Sequence, residues 1–314
     1  MAVEFLTWNM QGAGSGADRT LKWTQMIGFL NNAANRSIRY VAFQEGGQHS
    51  TYTHLRTQGF ASGFRTLDYK IYNRGGAEEI QWQLDYFEVS TDRGVNRYGV
   101  YFLSRYTKAA GGDWVETLRV SMGILVRLPC NVTKARFIKF SDDISDFLRP
   151  PVGIIVDDEL MIASLHSTAR GGFNTQELIN SVCDWFNGEP DALELFIMGD
   201  FNINGLSDAT FQSWMDDLMG LDGQLATVPI GGPGVQQQYT HYSTRGGRKR
   251  YDYGTYIYPE DAAQGDFSFE TIYYDRQQPS APENQPVPRP LAPGNHNYDL
   301  KSDHRVLTFD MDRD

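Results

Sequence analysis

The sequence has little cysteine, no excess of positive charge and no long apolar run, and each shortage excludes a class of protein. Cys130 and Cys183 are its two cysteines, which excludes a disulfide-rich scaffold and favours two buried free thiols over a single bridge. The apolar runs fall well short of the roughly eighteen residues that a membrane-spanning helix needs. The formal net charge of −11 excludes a broadly basic surface for nucleic acid. It does not exclude an enzyme that reaches phosphate through a bound cation and a few arginines.

The length and composition favour one large domain. A chain of 314 residues, 40% of them hydrophobic, can bury a sizeable core. Residues 278–293 contain six prolines, which predict an extended loop. A motif and a strand follow this loop, so we interpret 1–314 as a single catalytic domain with the loop inside it. Residues 1–5 lack signal-peptide features; a cytoplasmic protein, secretion by another route and an already removed leader stay open.

Short apolar runs alternate with segments of helical spacing, which predicts an α/β fold. The predicted strands are residues 3–8, 40–43, 97–105, 152–156, 160–165, 193–198, 253–258 and 305–309. The predicted helices are residues 19–34, a segment around 178–186, and residues 209–219.

Polar residues recur where these apolar runs end. The residues concerned are Asn9, Gln44 with Glu45, His166, Asp200 with Asn202, Asp252, and Asp303 with His304. One such residue is more often a turn or a cap than a site. Six cases on successive strands are different, because side chains at strand ends in layered α/β folds converge in a cleft.

The residue types at these ends fit phosphodiester hydrolysis, which needs an activated water, proton transfer and stabilisation of a charged phosphate. They comprise the carboxylates of Glu45 and Asp303, the imidazoles of His166 and His304, and the guanidinium groups of Arg97 and Arg149. Carboxylate oxygens suit Mg²⁺, imidazoles transfer protons near neutral pH, and arginine binds phosphate in a bidentate manner.

Five motifs occur in the order of the endonuclease/exonuclease/phosphatase superfamily, whose fold is that of deoxyribonuclease I. They are Trp-Asn-Met-Gln-Gly from Trp8, Gln44-Glu45, His-Ser-Thr-Ala-Arg-Gly-Gly from His166, Gly-Asp-Phe-Asn from Gly199, and Ser-Asp-His from Ser302. Within the superfamily, the chain most resembles the catalytic subunit of cytolethal distending toxins. That likeness depends on the opening motif, on Gly94 to Arg97 running on to Ser104-Arg105, and on the segment from Arg149 to Ile154.

The resemblance implies a four-layer α/β sandwich, with two central mixed sheets flanked by helices, and a role for each matching residue. Glu45 and Asp303 are expected to bind metal, and Asn9 to help hold metal or phosphate. His166 and His304 are expected to be catalytic imidazoles, with Asp252 orienting His304. Asp200 and Asn202 are expected to orient water and phosphate, and Arg97 and Arg149 to bind phosphate. The implied cation is Mg²⁺, with Mn²⁺ and Ca²⁺ as alternatives.

The resemblance also implies DNA as substrate, delivery subunits as partners, action in a host nucleus, and no membrane insertion. A phosphoinositide phosphatase, a sphingomyelinase and a catalytically inactive binding module stay open as alternatives. Arg248, Lys249 and Arg250 belong to a basic run that is either a solvated loop or a DNA-phosphate contact. Residues 63–79 and the proline-rich loop resemble additions to the family pattern. The acidic partner expected for His166 is one of Glu78, Glu79, Asp85 and Glu88.

Overall fold

The computed structural model describes most of the first two thirds of the chain and separate strands of the last third. The described residues are 3–10, 16–31, 37–47, 50–57, 59–74, 78–90, 96–109, 111–117, 120–140, 149–168, 174–203, 213, 221–226, 241–242, 248–249, 252–259, 267–273 and 307–313. The predicted helix at 209–219, apart from residue 213, and the proline-rich segment 278–293 lie outside them.

Strands outnumber helices among the described elements. The first half of the chain forms β1 (Val3–Asn9), α1 (Gly16–Asn31), β2 (Ile38–Gln44), α2 (Ser50–Thr57), β3 (Ala61–Arg74), β4 (Glu78–Ser90), β5 (Arg97–Ala109), β6 (Trp114–Glu116), β7 (Met122–Arg127), β8 (Val132–Phe137) and β9 (Val152–Val156). The second half forms β10 (Leu160–His166), α3 (Thr175–Asn187), β11 (Glu194–Asp200), β12 (Leu221–Ala226), β13 (His241–Tyr242), β14 (Arg248–Lys249), β15 (Asp252–Pro259), β16 (Phe267–Tyr273) and β17 (Leu307–Arg313).

The long strands form two sheets. The larger has the order β16-β17-β1-β2-β7-β5-β4-β3, with β6 beside β5, and the smaller has the order β12-β15-β11-β10-β9-β8. Both sheets are mixed, since β1 pairs with β2 and β10 pairs with β11 in parallel, whereas their other described pairs are antiparallel. Strand β1 lies between β2 and β17, and Val3 is opposite Met311.

Three apolar clusters separate four layers. Alternate residues of both sheets, such as Phe5, Ile124, Ile162 and Phe196, form the core between the sheets. Residues on the opposite face of the larger sheet pack against α1 and α2. Residues on the opposite face of the smaller sheet pack against α3, which contributes Leu178, Ile179, Val182, Cys183 and Phe186 as its spacing predicted. The arrangement is helix, sheet, sheet, helix, which confirms the predicted four-layer sandwich.

The described residues of the segment 63–79 belong to β3 and to the start of β4, which pair in an antiparallel manner in the larger sheet. Strand β3 is the edge strand. Tyr69 and Ile71 on β3 are 59% and 41% exposed. An edge strand of this kind need not be a continuous apolar run, in contrast to an inner strand that is buried on both faces. The segment that resembles an addition to the family pattern thus forms paired strands at the edge of the larger sheet, as far as its residues are described.

Both cysteines are free, as predicted, and Cys183 is buried as expected, whereas Cys130 is only half-buried. Among the described residues, no helix is both long and apolar enough to cross a membrane.

Candidate active site

Three neighbouring strands of the smaller sheet carry polar side chains at the same level. His166 ends β10 and pairs with Asp200, which ends β11, and Asp200 pairs in turn with Asp252, the first residue of β15. Because side chains alternate along a strand, all three lie on the same face of the smaller sheet as Ile162 and Phe196, the face that packs against the larger sheet. They are at most 2% exposed. Burying such groups together is costly without a compensating role, which makes this row a functional-site candidate.

Gly199 allows β11 to lie close to β10. A Cβ atom on Gly199 would lie 1.8 Å from the carbonyl oxygen of Leu165, so only glycine fits there without moving the strands. His166 and Asp200 are the next residues on β10 and β11. The glycine of the Gly-Asp-Phe-Asn motif therefore sets the spacing between them.

The larger sheet contributes Asn9 and Glu45 from its adjacent strands. Asn9 pairs with Gln44 at the end of the parallel strands β1 and β2, and Glu45 follows immediately. The Asn9 amide nitrogen donates to Asp200 Oδ2 at 2.9 Å, which joins the two sheets directly above their shared core. The candidate active site is thus a cleft that only the packing of both sheets creates.

Short side-chain and backbone contacts fix the residues that follow these strands. Glu45 and Asn202 have positive φ angles of 53° and 52°, a conformation uncommon outside glycine. The Asn202 N–H donates to Asp200 Oδ1 at 2.9 Å, and its side-chain amide donates to the Ser167 carbonyl at 3.0 Å. Trp23 Nε1 donates to the Gly46 carbonyl at 2.6 Å and so holds the segment after Glu45.

His166 lies among charged groups of both signs. Its Nε2 atom is 3.6 Å from Asp200 Oδ2 and 3.9 Å from Glu45 Oε1. Arg149 Nη1 contacts the same nitrogen, and since a guanidinium only donates, Nε2 is the acceptor. Nε2 is therefore the basic nitrogen of the ring, and it faces the cleft between the two carboxylates.

Arg149 is a cation next to His166, and the charged groups around it shift the pKa of its guanidinium. Burial lowers the pKa of its guanidinium, while Glu45 and Asp200 oppose that effect, and the positive charge of Arg105 adds to it. Arg105 lies towards the end of β5, with its guanidinium carbon 5.9 Å from the Trp82 ring centroid. Ser104-Arg105 belongs to the segment that resembles the toxin family, but Arg105 was not among the predicted site residues.

Arg97 is not brought to the cleft. Arg97 is the first residue of β5. The cleft lies at the level of Gln44 on β2, which is opposite Met122 on β7, and Met122 is opposite Leu103 on β5. Six residues of extended strand separate Arg97 from that level, or about 20 Å. Arg97 instead forms an ion pair with Glu88, with its own side chain 56% exposed. The sequence-based choice of Arg97 as a phosphate-binding arginine thus conflicts with the register of β5.

The remaining predicted residues are placed only in part. Asp303, His304 and Arg250 lie outside the described residues, so the predicted pairing of Asp252 with His304 stays a prediction. Arg248 and Lys249 form β14, which pairs with His241–Tyr242 in a small two-stranded sheet.

Three of the four acidic residues predicted as partners for His166 have other contacts, and the fourth, Glu78, begins β4. Glu79 pairs with Lys108 and Glu88 with Arg97. Asp85 is fully buried and accepts hydrogen bonds from Thr66 and Gln83, on the face of β4 that points away from the smaller sheet. The carboxylates of Glu45 and Asp200 approach His166 in their place.

Comparisons with known proteins support the fold. No protein-family model matches the chain, and no curated protein matches its sequence. Among solved structures, it is similar to a chain of the Haemophilus ducreyi cytolethal distending toxin, with a TM-score of 0.57 and 17% identity over 99% of this chain and 98% of that chain. A humanised D. rerio TDP2 gives 0.51 and 13%, covering 99% of each chain. An endonuclease/exonuclease/phosphatase from Bacteroides vulgatus gives 0.51 and 12%, covering 100% of each. At these identities the likeness shows the fold, which is the deoxyribonuclease I-like sandwich that the sequence motifs predicted.

Proposed function

We propose that this protein is a divalent-metal-dependent phosphodiesterase that hydrolyses DNA. The observation that carries the proposal is the convergence of His166, Asp200 and Asp252 from one sheet with Asn9 and Glu45 from the other, beside the half-buried Arg149. The similar fold of a cytolethal distending toxin chain supports it. A genotoxin-like role with delivery subunits is a further prediction of the sequence resemblance.

The described side chains account for the main requirements of phosphodiester cleavage. Arg149 donates N–H groups into the cleft, where a phosphate oxygen can take the place of His166 Nε2 as its acceptor. The freed Nε2 carries no proton, so it then accepts one from the attacking water. Asp200 is held on both oxygens, by Asn9 and by the Asn202 backbone, so its charge is fixed in direction. Such preorganised charge is usually the largest contribution to catalysis.

The oxygen donors at the cleft fit a hard divalent cation. Glu45 supplies a carboxylate. The amide nitrogen of Asn9 already donates to Asp200, so the amide oxygen of Asn9 is the atom that can bind a cation. Mg²⁺ binds proteins through one or two carboxylates and keeps several waters, which this small donor set suits. When bound, the ion would neutralise charge on the phosphate and lower the pKa of a bound water. Asp303 is proposed as a further ligand from its sequence motif.

DNA is the proposed substrate because a basic segment accompanies the cleft in the sequence. Strand β14, which pairs with β13, consists of Arg248 and Lys249, and β15 with Asp252 begins three residues after Lys249. Such a basic segment would provide phosphate contacts that an overall charge of −11 otherwise disfavours.

A supercoiled-plasmid nicking assay tests the proposal. The purified protein should convert supercoiled plasmid to the open circle with Mg²⁺ and lose this activity in EDTA, and folded His166→Ala should be inactive under the same conditions. Phosphate release from phosphoinositide vesicles is measured beside it. Release from vesicles without plasmid nicking would replace DNA by a phosphoinositide as substrate. Neither activity, from a folded protein with Mg²⁺, would overturn the enzyme assignment in favour of a binding module.

A further inference from the structure

The floor of the cleft contains a buried glutamine that connects the two sheets. Gln44 is fully buried, and its amide nitrogen donates to Ser164 Oγ at 3.2 Å and lies 3.4 Å from Thr7 Oγ1. Ser164 belongs to the smaller sheet and donates back to the Phe43 carbonyl at 3.4 Å. The Gln44–Ser164 bridge therefore links β2 to β10 in both directions at one level.

The bridge lies between the apolar core and the reactive groups. Gln44 comes directly before Glu45, and Ser164 comes two residues before His166 on the same face of β10. Below it, Ala42 and Ile162 belong to the core between the sheets. Above it, His166 Nε2 is 3.9 Å from Glu45 Oε1. The bridge is the first polar connection beneath the two side chains that the proposed chemistry needs at a fixed separation.

Stability alone does not account for this glutamine. Its Oε1 atom is buried and has no hydrogen-bond partner among the described residues. A buried polar group that is only half satisfied disfavours folding, whereas an apolar side chain of similar shape at the same place is often neutral or stabilising. What the amide adds is a directional contact across sheets whose backbones are about 10 Å apart, a distance that needs a long side chain.

We propose that Gln44 is a positioning residue, which through Ser164 sets the distance between Glu45 on the larger sheet and His166 on the smaller one. This inference rests on the proposed function, because it assigns a role within the same site. A misplacement of about 1 Å in a catalytic group can cost on the order of a hundredfold in rate. Loss of the bridge should therefore reduce the chemical step and leave substrate binding and the fold largely intact.

The test compares Gln44→Leu, Ser164→Ala, their double variant and the control Ile162→Val. The control removes a methyl group from the same face of β10, so it loosens the packing between the sheets without touching the bridge. Single-turnover plasmid nicking at saturating DNA should fall roughly ten- to hundredfold in Gln44→Leu, with little change in the DNA concentration for half-maximal rate. The double variant should be no slower than the slower single variant, because the two residues act as a unit. Ile162→Val should keep the wild-type rate.

A second readout does not depend on activity. The His166 ring resonances in NMR spectra, assigned by their loss in His166→Ala, should move in Gln44→Leu and stay in place in Ile162→Val. Wild-type rate and unmoved resonances in folded Gln44→Leu would overturn the positioning role, as would rate losses that follow thermal stability across all variants. If the wild-type protein nicks no DNA but the resonances respond as expected, the proposed function fails and the positioning role stands.

Discussion

Replacing Arg149 should separate catalytic rate from stability in this protein. Burial and the positive charge of Arg105 together lower the pKa of its guanidinium by more than Glu45 and Asp200 raise it, so the folded surroundings disfavour the charge. A group whose charged form the fold disfavours subtracts from the free energy of unfolding at every pH where it is charged in both states. Arg149→Met keeps the length of the stem and removes that charge. We expect its thermal midpoint to equal or exceed that of the wild type.

The rate should change in the opposite direction. Arg149 contacts His166 Nε2 and is near enough to Glu45 and Asp200 for both charges to act on it, so we expect it to be the cation that a phosphate oxygen meets in the cleft. Removing one preorganised donor of this kind costs about 100- to 1000-fold in rate, or roughly 3 to 4 kcal/mol. Arg149→Lys should fall between wild type and Arg149→Met, since lysine keeps the charge but loses the bidentate geometry.

Arg97→Met is the matched control, because it removes the same charged group from the far end of β5. Arg97 is exposed and paired with Glu88, so this change should leave plasmid nicking at the wild-type rate. Rates are measured under single-turnover conditions, and thermal midpoints by circular dichroism at the same pH. A greater loss of rate in Arg97→Met than in Arg149→Met would refute the placement of the two arginines. Marked destabilisation of Arg149→Met with normal activity would refute the electrostatic argument.

Further substitutions address the other parts of the site. His166→Ala should lower nicking at least about 100-fold with an unchanged circular dichroism spectrum, because a general acid–base group supplies that much; normal nicking would remove His166 from the mechanism. Glu45→Gln keeps the shape and removes a charge, so a Mg²⁺ titration should give a higher half-activating concentration, and an unchanged one would exclude Glu45 as a ligand. Asp252→Asn should lower the rate without changing that concentration, as expected for a residue that orients an imidazole; a raised requirement would make it a ligand. Replacing residues 248–250 together by alanine should flatten the salt dependence of DNA binding by roughly one counterion per lost phosphate contact; an unchanged slope would indicate a solvated loop.

The part of the site that lies at strand ends was predictable because apolar runs and their polar terminations are local features. Strands β10 and β11 are buried on both faces, so each appears in the sequence as a mostly apolar run that stops at His166 or Asp200. The local sequence pattern does not say which of these strand-end residues are neighbours in the folded protein. The row from His166 to Asp252 depends on β11 lying between β10 and β15, which is set by long-range pairing.

The choice between Arg97 and Arg105 shows the same limit. Both arginines lie on the 13-residue strand β5, and both belong to the segment that resembles the toxin family. The alternation along a strand says which face a residue occupies, but not which end of the strand reaches the cleft. That end is determined by the pairing of β5 with β7, where Leu103 is opposite Met122.

The central position of β1 in the larger sheet has a consequence for how the protein is made. β1 leaves the ribosome long before β17, its partner on one side, which lies about 300 residues further along the chain. Loop-closure entropy makes contacts over such a separation slow to form. Until β17 arrives, the strand that carries Asn9 keeps one edge without its native partner. A nascent chain should therefore be unable to cut DNA until β17 has emerged and paired with β1.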